Sequence, residues 1–184
     1  MDKTNDTEIY FSYLIEGLPE PLTRASAHIQ IFDNYIAGTR MRIRSVRDPD
    51  TAAWTRILQQ RFPMSENDLS RMKIAEIYLN DAEYAHFQIF EGTEIRKNRY
   101  FHEVDGRNFG FDVYLGDLWG LNIARVQFTS PEHIEAFEPP SFAVFDITNN
   151  PFFQGATLVE KKFEDVREEV SRIDSRTNIA AADE

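Results

Sequence analysis

Apolar and polar residues alternate in short runs along most of this chain, and turn residues break the runs at close intervals. The pattern predicts strands at 7–14, 28–36, 39–46, 53–61, 71–79, 95–103, 108–115, 121–129 and 142–148. The breaks fall at Gly17-Leu18-Pro19, Ala37-Gly38, Asp48-Pro49-Asp50, Phe62-Pro63, Asp105-Gly106 and Ser130-Pro131. Asp105-Gly106, between two strand-like runs, is a hairpin signal.

Helical spacing occurs in three places. Asn80 can cap DAEYAHFQIFEG, with Gly92 ending it, and PEHIEAF begins on Pro131, a favoured first-turn residue. The segment 157–173 carries apolar residues at 159, 163, 166, 170 and 173, a one-sided helical stripe. No repeat or long linker divides the chain. We therefore expect a single domain over 1–174, including the C-terminal helix, and a disordered tail over 175–184. Many short strands with few helices imply an antiparallel barrel or sandwich.

Composition narrows the classes. With 42% hydrophobic residues, 15 Phe and 7 Tyr among 184 residues, there is ample material for a core. The absence of cysteine excludes disulfides and thiolate chemistry. No apolar run approaches the ~18 residues of a membrane span, and the polar start MDKTNDTE is unlike a signal peptide, so a cytoplasmic protein is expected. A net charge of −11 argues against duplex nucleic acid or an anionic membrane as partner. The basic residues are nevertheless focal: Arg40, Arg42, Arg44 and Arg47 crowd one segment, and Arg96, Lys97 and Arg99 another.

Period-two pairs carry the candidate chemistry. Arg42 with Arg44, Lys97 with Arg99, Arg125 with Gln127 and Asp112 with Tyr114 would each share one strand face. Such a face is either solvated or turned into a barrel lumen, and periodicity alone does not distinguish the two. Glu8-Ile9-Tyr10 and Glu76-Ile77-Tyr78 likewise each set a carboxylate and a phenol on one face. Signatures of dinucleotide, phosphate-loop, zinc-protease and serine-hydrolase sites are absent, and the four histidines lie singly.

Several blocks together resemble the triphosphate tunnel metalloenzyme family, also called CYTH. KNRYFHEVDGRNFGFDVYLGDLWGLNIARVQFTSPEHIEAF is similar to its K-x-R-Y strand, D-V-F-x-G strand and G-L-x-L-A-E-V-E-F strand. FAVFDITNNPFFQGATLV, TEIYFSYLIEGLP, RMRIRSV and KIAEIYLNDAEYAHF resemble the family's remaining blocks in order and spacing. The resemblance implies an α+β fold, a closed eight-stranded antiparallel barrel with helices outside. It also implies a triphosphate bound along a basic lumen, with magnesium or manganese on lumen glutamates. Arg42, Arg44, Lys97 and Arg99 match its basic positions, and Arg125 adds a further cation for the ligand. Glu8, Glu76, Asp112 and Asp146 stand where it would place metal ligands.

The carboxylate rows depart from the family pattern. The first reads Glu8, Tyr10, Ser12, the second Ile74, Glu76, Tyr78, and the late Glu-x-Glu has become Arg125-x-Gln127. A neutral phenol is a poor ligand for magnesium, so the expectation is either no cofactor or weakly held magnesium or manganese. Three readings stay open: a pseudoenzyme-like tunnel binding a triphosphate, nucleotide or polyphosphate; a remodelled triphosphate or nucleotide phosphohydrolase or cyclase; and a structural protein with a self-satisfied lumen. Family members often dimerise, which allows a homodimer, although no segment marks an interface.

Overall fold

A computed structural model describes residues 3–90, 92–130, 132–135 and 137–182. Nine strands appear: β1 (Lys3–Leu14), β2 (His28–Tyr35), β3 (Met41–Arg47), β4 (Trp54–Ser65), β5 (Asp68–Leu79), β6 (Thr93–Val104), β7 (Arg107–Tyr114), β8 (Asn122–Phe128) and β9 (Phe145–Asp146). They run β5-β4-β3-β2-β6-β7-β8-β1 with antiparallel pairing throughout, and β1 also pairs with β5. That last pairing closes the eight-stranded barrel. Residues 3–9 of β1 meet β5, while Tyr13 and Leu14 meet β9 along the same edge.

The hairpin at Asp105-Gly106 forms as expected. Both residues have positive φ, 50° and 72°, the backbone a two-residue turn between twisted strands requires. Phe62-Pro63 does not stop β4: the strand runs on to Ser65, with Pro63 opposite Met72 and a register irregularity immediately beyond. Proline lacks an N–H, so the ladder tolerates it only beside such an irregularity.

Alternation sorts the wall into two faces. Outside, Tyr13, Tyr100, Phe109, Phe111, Val113, Ala124, Val126 and Phe128 form a buried aromatic layer under Leu18, Leu22, Phe137 and Phe142. At one end of the barrel Leu14, Ile95, Leu121 and Ile123 pack against Phe153, Leu158 and Val166 of the C-terminal segment.

Among the described residues, four α-helices accompany the barrel: α1 (Asp81–Phe87), α2 (Glu132–Glu135), α3 (Gly155–Leu158) and α4 (Phe163–Ala182). Asn80 and Glu83 form a capping box for α1, whose end is completed by a short 3-10 turn over Gln88–Phe90. Pro131, expected to open α2, lies outside the described residues. The stripe read as one helix over 157–173 is divided: Thr157 and Leu158 belong to α3, residues 159–160 turn, 161–162 are irregular, and α4 begins at Phe163. Phe163, Val166, Val170 and Ile173 still face the barrel end. Residues 175–182, expected as a disordered tail, continue α4. No helix among the described residues is long and apolar enough to cross a membrane.

One glycine fixes how the C-terminal segment meets the wall. A Cβ on Gly155 would stand 1.8 Å from the hydroxyl oxygen of Tyr35, so α3 reaches this position only without a side chain.

Candidate anion-binding site

Cross-strand register brings the polar alternates together inside the barrel. Arg44 lies across from Asp33, Arg42 from Gln59, Gln59 from Glu76, Arg99 from Asp112 and Ser12 from Arg125. All five cations singled out in the sequence face this interior, as do Glu8, Glu76 and Asp112. A cavity of about 740 Å³ opens from the lumen to one mouth, lined among others by Glu8, Tyr10, Arg44, Arg61, Arg99 and Arg125. A second cavity, of about 260 Å³, shares Arg61 with it and reaches Arg42, Tyr35 and Gln154.

Asp146 does not join the others. It pairs with Tyr13, whose ring lies in the outer aromatic layer, and its Oδ1 accepts from the Thr148 N–H at 2.8 Å. It is exposed on the outer side of the wall.

Two carboxylates organise the deeper lumen. Arg44 donates from Nε and Nη2 to the two oxygens of Asp33 at 2.7 and 2.8 Å, and Arg42 Nη1 reaches the same carboxylate at 3.1 Å. Arg99 grips Asp112 the same way, at 2.6 and 2.7 Å, and Lys97 Nζ stands 2.7 Å from Asp112 Oδ2. Burial alone would raise both acids. The adjoining cations prevail and hold Asp33 and Asp112 well below the ordinary carboxylate range. Lys97 must share its carboxylate with Arg99, and burial pushes it down from 10.5 to about 7, with Asp112 opposing and Arg99 adding to the fall.

These shifts set a pH dependence. The depressed Asp33 and Asp112 contribute stability above the unfolded carboxylate value of 3.8, and that stability is lost as pH falls through their folded values. Between about 7 and 10.5 the unfolded chain holds the Lys97 proton more tightly than the folded one, so this group makes stability rise with pH there. Urea midpoints are expected to decline steeply below about pH 4 and to climb modestly above 7. A Lys97→Met variant should lose only the alkaline climb.

Arg42 and Arg61 are less completely paired. Arg42 Nε donates to Gln59 at 2.6 Å and its Nη1 to the Tyr35 hydroxyl at 2.9 Å, but its buried Nη2 has no partner among the described residues. Arg61 Nη2 meets Glu8 at 3.0 Å, while its buried Nε likewise has none among the described residues. Burial pushes Arg61 down to about 10, with neighbouring Arg42 adding to the fall and Glu8 opposing it. The Gln59 amide donates to Glu76.

Asp33, Gln59 and Arg61 were not singled out in the sequence. Gln59 and Arg61 did carry the same period-two signal as the other pairs, at the end of a strand expected to stop at 61. Asp33 stands as a lone acid after Ile29 and Ile31 on one strand face, a position where a carboxylate needs buried cationic partners.

Comparison with known proteins is consistent with this geometry. No family model matches the chain. The inorganic triphosphatase of Nitrosomonas europaea is 30% identical over 96 residues, a match spanning 51% of this chain and 63% of that protein, less than two thirds of its length. A crystal structure of the inorganic triphosphatase NE1496 superposes with a TM-score of 0.57 at 21% identity, over 84% of this chain and 95% of that one. Another structure, of the hypothetical protein NE1496, gives 0.57 at 19% identity over 84% and 99%. The chain thus shares its fold with the NE1496 structures, and about half of it resembles the Nitrosomonas triphosphatase in sequence. Its lumen holds Arg44, Lys97 and Arg99, locked on Asp33 and Asp112, and Arg42 and Arg61, which keep a donor left over even though Arg42 also reaches Asp33.

The carboxylates of this tunnel protein are engaged by its own side chains: Glu8 by Arg61, Glu76 by Gln59, and Asp112 at both oxygens. Among the described residues, no three His, Asp or Glu side chains converge to hold a metal ion.

Proposed function

We propose that this tunnel protein binds a phosphate-bearing polyanion of the triphosphate class in its lumen, without ordinary metal-dependent hydrolysis. The observation that carries the reading is the pair of buried, unpartnered guanidinium donors, Arg42 Nη2 and Arg61 Nε. A buried cationic N–H without an acceptor is costly, and a phosphate oxygen satisfies it with a charge-assisted hydrogen bond. The name of the Nitrosomonas relative supports a triphosphate as the ligand class. The carboxylates do not fit a resident metal on this reading, because binding one would first strip Arg61, Gln59, Arg99 or Lys97 of its acceptor.

One observation favours an enzyme instead. Glu8 and Glu76 line the same cavity as Arg61 and Arg125, so a metal arriving with the substrate would meet carboxylates there. The two readings part in one experiment. Thermal melting and calorimetry with sodium tripolyphosphate in EDTA are expected to show a raised midpoint and saturable binding, with no phosphate release after magnesium or manganese is added. Metal-dependent release of phosphate would establish the hydrolase reading. A midpoint unmoved by tripolyphosphate at low salt would leave a lumen satisfied by its own ion pairs.

A further inference from the structure

Arg125 is the lumen cation least engaged by the protein. Its Nε donates to Ser12 Oγ at 3.1 Å, and among the described residues no carboxylate lies within ion-pair distance of it. Its guanidinium carbon sits 4.5 Å from the centroid of the Tyr10 ring, and that of Arg61 sits 5.6 Å from the same centroid. Tyr10 is 2% exposed and its hydroxyl contacts Gln154 at 3.4 Å, so the ring is a fixed support for both cations. Arg42, with its spare Nη2, is the third member of the group and is 7% exposed. Glu8, partly open to solvent, offsets Arg61, and Asp33, already gripped by Arg44, offsets Arg42, which leaves Arg125 without a carboxylate of its own. Gln127, the next residue on the Arg125 face, adds no charge.

We infer that Arg125 and Arg61, held on the Tyr10 ring, recognise the metal-free form of the polyanion, so that magnesium opposes binding instead of assisting it. The inference rests on the anion-binding reading above and names the ionic form that reading leaves unspecified. Magnesium holds phosphate oxygens tightly and keeps a rigid octahedral shell of oxygen ligands. A magnesium-bound triphosphate therefore offers fewer free oxygens to planar guanidinium forks, which pair best with bare ones. It also carries a dication toward three clustered cations in a site of low dielectric, where like charges repel strongly.

The test is calorimetric titration with sodium tripolyphosphate at fixed ionic strength, in EDTA and then in excess magnesium, with melting curves run on every protein. The wild type is expected to bind in EDTA and to weaken at least tenfold in magnesium. Arg125→Gln should weaken binding in EDTA and flatten the magnesium effect. Arg125→Glu should reverse its sign. Binding by the wild type that is unchanged by magnesium, or that requires it, overturns the inference while the anion-binding reading stands. Arg125→Gln behaving as wild type in both buffers, with a normal melt, also overturns it. An absence of binding in either buffer overturns the reading of function and this inference together.

Discussion

Replacing Asp112 with alanine is expected to lower stability by about 3–5 kcal/mol, the largest single effect in the molecule. Asp112 is fully buried and is the acceptor for both Arg99 and Lys97. Removing it leaves Arg99 buried without its counter-charge and drives Lys97 toward its neutral form, a far greater penalty than the net value of the pairs themselves. Asp146→Ala is the matched control. That carboxylate is exposed outside the barrel, so its loss should stay within about 0.5 kcal/mol. Urea denaturation of both variants at neutral pH decides the point. A loss below about 1 kcal/mol at Asp112, within the range of an exposed ion pair, would mean that water reaches this pair freely in the folded protein.

Arg42→Glu is expected to weaken tripolyphosphate binding more than tenfold, while Arg47→Glu changes it only slightly. A charge-assisted hydrogen bond is worth about 1.5–3 kcal/mol, and about 1.4 kcal/mol is already a factor of ten. Arg42 is 7% exposed with an Nη2 that no described residue accepts from, whereas Arg47 sits on the opposite face of β3 and donates to Gln30 at 3.3 Å. Charge at Arg47 can act only at long range and is screened by salt. Because Arg42→Glu also sets a second carboxylate beside Asp33, Arg42→Gln is measured with it. The neutral variant should retain its fold and still lose about a decade of affinity. Equal behaviour of the Arg42 and Arg47 variants would remove Arg42 from the binding site.

The wall of the barrel was legible because its alternation is strict. Arg42 with Arg44 and Lys97 with Arg99 could be placed on shared faces from spacing alone, and the structure turns both pairs inward. The direction of those faces was not legible locally. It depends on β1 pairing with β5, a contact between residues 3–9 and 71–76 that no short window contains. Asp146 was misplaced because β9 is two residues long, too short for alternation to show which side is which. Arg61 was missed because Phe62-Pro63 reads as a stop, although the register irregularity beyond Pro63 lets the strand continue. The break of the C-terminal stripe at 159–162 was hidden because the apolar spacing runs straight across it.

Barrel closure also has a kinetic consequence. β1, the earliest barrel strand in chain order, has β5 on one edge and β8, residues 122–128, on the other. Until β8 exists, the first strand has half of its hydrogen-bonding edge open, and the chain can form only a curled, unclosed sheet. Loop-closure entropy makes such distant pairings late and slow. The lumen cations therefore remain hydrated through most of folding and are stripped of water only when the two ends of the sheet meet. Refolding should show the outer aromatic layer burying before Arg44 and Arg99 become sequestered, and destabilising changes at Asp33 or Asp112 should speed unfolding far more than they slow folding.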